Sequence, residues 1–371
     1  MNAVDLTREL LRFNTINPPG AEDACAQHLG RLLEAAGFRV TSHAFAPTRT
    51  SLVATIGGNG GGPPLCFTGH VDTVPLGAAP WTRDAFAGET AGGRLYGRGS
   101  TDMKSGVAAF VVAALRLATR LRPTSGVVLV ITAGEETACE GARHLATSGA
   151  LPRAGAIVVA EPTGNAACVG HKGALWLEAR TTGVTAHGSM PERGVNAVYK
   201  AARAVLMLEK FEFGAVPHPV LGRPTLNVGN LHGGLNVNSV PDAAVIGIDI
   251  RTIPSVKHAA LRGDLEAYLG PDVALSAVAD AEGVWTDPAD PWVQGVSEIA
   301  ERTAAVSREV RAAPYFTDAS ALTPAMGHPP TVIIGPGETG LAHQTDEYCL
   351  VERIEQAVEI YVEIARRWCG V

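Results

Sequence analysis

Histidine and carboxylate residues follow short apolar runs of this chain, at the points where the runs end. The runs and the polar residues after them are 65–68 with His70 and Asp72, 127–133 with Glu135 and Glu136, 156–160 with Glu161, and 331–335 with His343. A further carboxylate, Asp102, stands just before an apolar helical pattern. Imidazole and carboxylate groups together form a ligand set that suits zinc, cobalt or manganese. The residue types therefore indicate a divalent metal site.

The number of carboxylates in this set indicates more than one cation. Crowded carboxylates repel and raise one another's pKa, and two divalent cations would offset that charge. One carboxylate can bridge two metals, which then lie roughly 3.5–4 Å apart, as in two-metal hydrolytic enzymes. Asp72 follows His70 by two residues and is placed to hold the other ring nitrogen of that ligand. The pattern favours a two-metal hydrolytic centre.

Each of these residues, taken alone, also has an ordinary structural interpretation. The alternatives are a satisfied buried polar group for His70, a helix N-cap for Asp102, a turn residue for Glu161, a solvated helix start for Glu135 and Glu136, and an exposed loop position for His343. Their common position at strand ends favours a site, because open α/β sheets bind ligands at the carboxyl ends of their strands.

The elements that would position these residues alternate between strands and helices. Continuous apolar strands suit a sheet that is covered on both faces. The stretches 106–121, 140–148 and 350–368 supply helices, and the last has apolar residues at helical spacing. We therefore predict an α/β fold, with a mixed sheet sandwiched by helices.

The stretch from 173 to 283 has a different pattern. Its strand and helix signals follow the order βαββαβ, which is typical of a ferredoxin-like α+β unit. This stretch lies between the third and fourth apolar strands of the main sheet. We predict a discontinuous domain of residues 1–172 and 284–371, with residues 173–283 inserted into it.

Composition excludes several classes of protein. The 371 residues are 46% hydrophobic and 18% charged, which excludes a disordered chain. The net charge is −7 and no basic stripe is present, so we expect no nucleic-acid partner. The longest apolar stretch is too short to span a bilayer, so we expect no membrane partner. Six cysteines form no Cys-x-x-Cys pair, which favours reduced thiols and a cytoplasmic location.

Several motifs of the chain match one known family in the family's order. They are Gly69-His70-Val71-Asp72-Thr73-Val74-Pro75, Gly97-Arg98-Gly99-Ser100-Thr101-Asp102-Met103-Lys104, Ala133-Gly134-Glu135-Glu136, Glu161-Pro162-Thr163 and Ala342-His343, together with Asn17-Pro18-Pro19-Gly20 and Gly194-Val195-Asn196-Ala197. On these motifs the chain resembles the di-zinc amidohydrolases and peptidases that include acetylornithine deacetylase, succinyl-diaminopimelate desuccinylase, aminoacylase and glutamate carboxypeptidase.

The resemblance implies a role for each residue of the cluster. Asp102 would bridge two metals, His70 and Glu161 would complete one site, Glu136 and His343 would complete the other, Glu135 would be the general base, and Asp72 would orient His70. A metal lowers the pKa of bound water, and a carboxylate beside that water can accept the proton and then deliver it to the leaving amine. The implied cofactors are two divalent ions, zinc in the first place, with cobalt or manganese as substitutes.

The inserted stretch resembles the family's lid, which also serves for dimerisation. His187 matches a histidine that the family supplies to the neighbouring subunit, where it would donate a hydrogen bond to the oxyanion. Asn238 and Arg251 match positions that grip the substrate's carboxylate. The alternatives are a surface histidine, and an ion pair of Arg251 with Asp249 or Asp242. A homodimer through the inserted domain is expected.

The chain departs from the family pattern at two places. Ser105 replaces the glycine that usually follows Asp-Met-Lys, and Cys139 follows the paired glutamates, as a structural thiol or a stray ligand. Glu161, rather than an aspartate, is typical of the deacylases and carboxypeptidases.

The predicted function is metal-dependent removal of an N-acyl group from an amino acid, with a dipeptidase or glutamate-type carboxypeptidase as the alternative. A non-catalytic binding protein is the more distant alternative.

Overall fold

The structure is a computed structural model that describes residues 2–58 and 60–371. Met1 and Asn59 lie outside the described residues. The chain forms two units. The discontinuous unit comprises the chain up to Gly170, Val284–Ala313 and Thr317–Val371, and the inserted unit comprises His171–Gly283 with Pro314–Phe316.

Strands and helices alternate along the described residues. The strands are β1 Arg39–Ala46, β2 Arg49–Ile56, β3 Leu65–His70, β4 Thr90–Ala91, β5 Arg94–Tyr96, β6 Val127–Thr132, β7 Ala156–Val159, β8 Cys168–His171, β9 Gly173–Thr182, β10 Thr225–Gly233, β11 Ala243–Thr252, β12 Val273–Ala281, β13 Val284–Trp285, β14 Arg311–Ala313, β15 Thr331–Ile333 and β16 Tyr348–Leu350. The α-helices are α1 Ala3–Leu11, α2 Asp23–Ala35, α3 Ser105–Leu121, α4 Glu140–Ser148, α5 Ala197–Leu208, α6 His258–Leu269, α7 Pro291–Ala304, α8 Ala319–Ala325 and α9 Val351–Cys369.

The discontinuous unit is built on a nine-stranded sheet in the order β1-β2-β6-β3-β7-β15-β8-β13, with β14 paired to β8. The neighbours β6, β3, β7 and β15 are parallel, whereas β1 and β2 are antiparallel to their neighbours. This mixed sheet confirms the predicted fold class. Because the four central strands are parallel and in register, the residues that follow them emerge at one edge of the sheet.

Helix α3 fixes the central strands in place. It is rich in alanine and valine and almost entirely buried, because α1 and α9 pack on it as well as β3 and β6. Phe67 of β3 stacks on Phe110 of α3 and meets Tyr361 of α9 edge-on, with ring centroids 6.1 and 5.4 Å apart. Burying one such ring contributes about 1.5–3 kcal/mol. The central strands are therefore held in place by a closely packed core.

The inserted unit contains a four-stranded antiparallel sheet in the order β10-β11-β9-β12. Helices α5 and α6 pack on this sheet through apolar residues such as Leu208, Ile246 and Leu265. The chain order is βαββαβ, as in a ferredoxin-like unit. Across the described residues, no helix has both the length and the apolar character that crossing a membrane requires.

Candidate metal centre

Four side chains meet around Asp102 at the edge where the parallel strands end. His70 is the last residue of β3, Glu136 follows β6, Glu161 follows β7, and His343 lies in the loop before β16. His70 Nε2 is 3.2 Å from Asp102 Oδ1 and 3.8 Å from Glu161 Oε1. His343 Nε2 is 3.4 Å from Asp102 Oδ2 and 3.2 Å from Glu136 Oε1. Each oxygen of Asp102 therefore faces one histidine.

This arrangement fits divalent cations. Ligand atoms of His70, Asp102 and Glu136 all lie within 4.8 Å of one another, which is close enough for bound cations to lie among them. Two imidazole nitrogens and several carboxylate oxygens are the donors that zinc, cobalt and manganese accept. The split of the donors between the two oxygens of Asp102 is also what a bridging carboxylate needs.

The pKa values of the cluster indicate that its carboxylates favour nearby positive charge. Burial raises the pKa of Glu135 and of Glu161 well above the usual value, and burial also raises that of Glu136. Hydrogen bonds with Asp102 and Glu136 raise the pKa of His343 to about 10. Carboxylates that are deprived of water and held together resist ionisation, and bound cations would relieve that cost.

Asp72 holds both the histidine and the paired glutamates. Its main-chain oxygen lies 3.0 Å from His70 Nδ1, and its carboxylate Oδ1 lies 3.4 Å from the same nitrogen. A carbonyl only accepts a hydrogen bond, so Nδ1 carries a proton, and Nε2, which faces Asp102, is the nitrogen that would bind a metal. The Asp72 carboxylate also accepts the main-chain N–H groups of Glu135 at 3.1 Å and Glu136 at 3.2 Å. This second set of bonds was not predicted.

Glu347 supports Asp102, and the sequence reasoning missed it. Its buried carboxylate accepts the main-chain N–H groups of Gly99, Thr101 and Asp102. Arg98 Nη1 lies 2.5 Å from the same carboxylate. Burial, opposed by the charge of Arg98, raises the pKa of Glu347 to about 7. No local signal marks this glutamate, because its partners lie almost 250 residues earlier in the chain.

The two departures from the family pattern both have partners in the discontinuous unit. Cys139 is buried and forms a hydrogen bond with Asp318, whose other partner is the Thr132 hydroxyl at 2.5 Å. Burial raises the pKa of Asp318 to about 6. Ser105 donates a hydrogen bond to the sulfur of Cys349 at 3.6 Å. Cys139 does not belong to the cation-binding group found among the described residues.

The candidate residues of the inserted unit are more open. His187 is exposed, and its Nδ1 lies 2.7 Å from the Ser189 hydroxyl. Asn238 is also exposed. Arg251 is half-buried and pairs with Asp249, with Nε 3.0 Å from Oδ1. The ion pair that stood as the alternative for Arg251 is therefore present.

The chain is similar to known proteins over most of its length. The profile of peptidase family M20/M25/M40 matches residues 66–367. The chain belongs to this family. Its relatives include the acetylornithine deacetylase of Vibrio cholerae serotype O1, 30% identical over 363 residues that cover 94% of this chain and 92% of the relative. The acetylornithine deacetylase of Shigella sonnei is 32% identical over 356 residues, covering 90% and 88%.

Solved M20 structures have the same fold. An M20 family metallo-carboxypeptidase from Sulfolobus solfataricus superposes with a TM-score of 0.82 at 18% identity, covering 100% of both chains. A tripeptidase from Staphylococcus aureus gives a TM-score of 0.74 at 22% identity and covers 98% of both chains. The predicted family and the predicted enzyme class are confirmed. The M20 chain described here is a metal-dependent hydrolase that acts on amide bonds.

Proposed function

We propose that this enzyme removes an N-acyl group from an amino acid by means of two divalent cations held around Asp102. The observation that carries the proposal is the division of His70 with Glu161 and His343 with Glu136 between the two Asp102 oxygens. The acyl-amino-acid class is supported by the acetylornithine deacetylases, which are 30–32% identical over most of both chains. Zinc is the proposed metal, with cobalt or manganese as substitutes.

Glu135 is the proposed general base. Divalent cations at this centre would lower the pKa of a bound water and polarise the amide carbonyl. Glu135 would take the proton from that water at its carboxylate and give it to the leaving amine. Its main-chain N–H is held by Asp72, and the residue is buried, with only 6% of its surface exposed. The main-chain oxygen of Asp72 would keep the proton of His70 on Nδ1 and leave Nε2 to bind a metal.

The proposed roles in the inserted unit come from the resemblance to the family. His187 would donate a hydrogen bond to the oxyanion of a neighbouring subunit, and Asn238 and Arg251 would hold the substrate's carboxylate. The exposure of His187 and the fork of Arg251 are compatible with those roles. Exposed apolar residues of this unit, such as Leu235 and Val237, support its use as a dimer interface.

The six cysteines support a location in the cytoplasm as part of the same proposal. None of them forms a disulfide in the described residues, and five are buried. Burial raises the pKa of Cys66 and of Cys349, which keeps those thiols protonated and unreactive. Thiols of this kind are typical of proteins that fold in a reducing compartment.

The test is amine release from a panel of N-acetyl, N-succinyl and N-carbamoyl amino acids and short peptides. The protein is first stripped with a chelator and then assayed with and without Zn²⁺ or Co²⁺. We expect release from an N-acyl amino acid only after metal is added, and none from Glu135→Gln protein purified in the same way. Hydrolysis that persists in the chelated protein would contradict the proposal.

A peptidase of the same fold is the second candidate. It is favoured by the metallo-carboxypeptidase and the tripeptidase among the structural neighbours, although that likeness shows the fold alone. Peptides in the panel separate the two activities. Metal-dependent cleavage of a dipeptide or of a C-terminal glutamate, with no release from acyl amino acids, would assign the enzyme to the peptidases instead.

A further inference from the structure

The loop that carries Glu135 and Glu136 has a backbone conformation that side chains rarely adopt. Between β6 and α4, Gly134 has a φ of 77°, and Ala138 and Cys139 have φ values of 69° and 58°. Left-handed backbone suits glycine but is unfavourable for alanine and cysteine. Such a conformation persists only where surrounding contacts impose it. The contacts that hold this loop are therefore part of what places the two glutamates.

Asn17 provides the first of these contacts. Its side chain is buried, and Nδ2 donates to Asp72 Oδ2 at 3.0 Å and to the Thr137 hydroxyl at 2.8 Å. The same Asp72 carboxylate accepts the main-chain N–H groups of Glu135 and Glu136. One amide group thus reaches the loop twice, directly at Thr137 and through Asp72 at the two glutamates.

Arg49 provides the second contact, from the start of β2. Its Nε donates to the buried carboxylate of Glu22 at 3.0 Å, and its Nη1 donates to Glu140 Oε2 at 3.1 Å. The same Glu140 oxygen accepts the Thr137 hydroxyl at 2.7 Å. Thr137 therefore accepts from Asn17 and donates to Glu140, so the two contacts are joined through its hydroxyl.

Two glycines make room for the guanidinium of Arg49. A Cβ added at Gly20, in the turn that begins with Asn17, would lie 2.3 Å from Arg49 Nε. A Cβ added at Gly134 would lie 2.6 Å from Arg49 Nη2. The guanidinium therefore fills the space between the 17–20 turn and the 134–140 loop.

We propose that Asn17 and Arg49 form a clamp that positions the loop of Glu135 and Glu136. They are positioning residues, since their side chains bond to Asp72, Glu22 and the far end of the loop rather than to the metal-facing atoms. The proposal rests on the general-base role proposed for Glu135. It gives a function to the Asn17-Pro18-Pro19-Gly20 motif, for which the sequence suggested none.

The test uses holoenzyme variants and the best substrate of the panel. Asn17→Ala is expected to lower kcat about 10- to 100-fold with little change in KM, as for other residues that orient a metal site. Arg49→Lys keeps a positive charge beside Glu22 but cannot bridge Glu22 and Glu140, so a loss of about 10-fold in kcat is expected. Unchanged kcat in both variants would overturn the clamp.

A double-mutant cycle separates positioning from general stability. Thr137→Val removes the shared hydroxyl, so Asn17→Ala in that background should lower kcat much less than it does in the wild type. Independent, multiplicative effects would contradict the clamp.

Thr124→Val is the matched control, because it removes another buried hydroxyl, bonded to Leu121 O just before β6. It should lower Tm without lowering kcat. If Asn17→Ala does not fold, Thr137→Val alone carries the test.

Cobalt binding tests the clamp without any substrate. The Co²⁺ absorption spectrum reports the ligand geometry at Glu136, so each clamp variant should show a changed spectrum or about 10-fold weaker Co²⁺ affinity. A wild type that binds Co²⁺ but hydrolyses nothing in the panel would refute the proposed function and leave the clamp testable. Variants with the wild-type spectrum and affinity, as well as wild-type kcat, would refute the clamp.

Discussion

In the discontinuous unit, side chains of His70, Asp102 and Glu136 present ligand atoms within 4.8 Å of one another, whereas the inserted unit presents His187 and Asn238 at its surface. The first group is supported by hydrogen bonds with Asp72 and Glu347. The second group has no such enclosure within its own unit. The residues proposed to bind metal therefore lie together in one unit, whereas those proposed to contact substrate are exposed on the other.

Replacing Glu135, the proposed general base beside the metal ligands, should have the largest effect on kcat. Glu135→Gln keeps the shape of the side chain but cannot accept a proton, so we expect kcat to fall about 10³-fold, within the range for general acid–base groups. Metal content should stay at the wild-type level, which elemental analysis checks. Glu359→Gln, which alters only a surface ion pair with Arg116, is the control. More than a tenth of the wild-type kcat would remove Glu135 from the proposed role.

Replacing His187, which is proposed to act across a dimer, should give a smaller and more specific effect on kcat. His187→Ala is expected to lower kcat about 10²-fold, as for the loss of one oxyanion donor, with an unchanged Tm. Mixing it with Glu135→Gln protein then decides where His187 acts. In a mixed dimer, one site would combine an intact Glu135 with an intact His187 of the partner.

The mixture should therefore regain activity only if the histidine acts across subunits. Random reassortment of equal amounts would restore about one quarter of the sites. Each variant refolded alone is the control, and it should stay inactive. No recovery in a mixture that sedimentation shows to contain dimers would place His187 in its own subunit, and full activity of His187→Ala would exclude it from the chemistry.

The contrast between the units also explains how far the sequence could predict the molecule. The runs 65–68 and 127–133 predicted β3 and β6 because a strand buried on both faces is apolar throughout. The residues after those strands could then be placed at one edge. The small sheet of β4, β5 and β16 was not predicted, since strands of two or three residues carry no usable pattern.

Contacts between distant segments were the part that the sequence could not supply. Glu347 and Arg98 are 249 residues apart, and a glutamate in a loop predicts exposure rather than burial. Asn17 belonged to a recognised motif, but its bonds to Asp72 and Thr137 depend on how three loops meet. Spacing along the chain identifies ligands at strand ends, whereas the residues that support them become visible only in three dimensions.

Two buried histidines, His70 and His171, show how their surroundings change the pKa of a buried imidazole. Burial alone disfavours the charged ring, yet hydrogen bonds with Asp102 and Asp72 raise the pKa of His70 well above its usual value. The ring of His171, the last residue of β8 and the first of the inserted unit, has only the Lys172 carbonyl as hydrogen-bond partner among the described residues, and burial lowers its pKa to about 4. Of these two buried histidines, only the one that faces carboxylates has a raised pKa.

The smallest expected effect follows from His171. Its folded-state pKa lies below the unfolded value of 6.5, so the unfolded chain binds the proton first as pH falls. Stability is therefore present above pH 6.5 and is lost as pH falls towards 4, by roughly 3 kcal/mol at most. His171→Asn, which keeps a donor near Nδ1 but does not titrate, should flatten that part of the profile. Replacing the exposed His328 with Asn should not flatten it. The free energy of unfolding, measured with urea at several pH values, checks this. Equal slopes of that free energy against pH in both variants and the wild type would mean that His171 does not stay neutral in the folded protein.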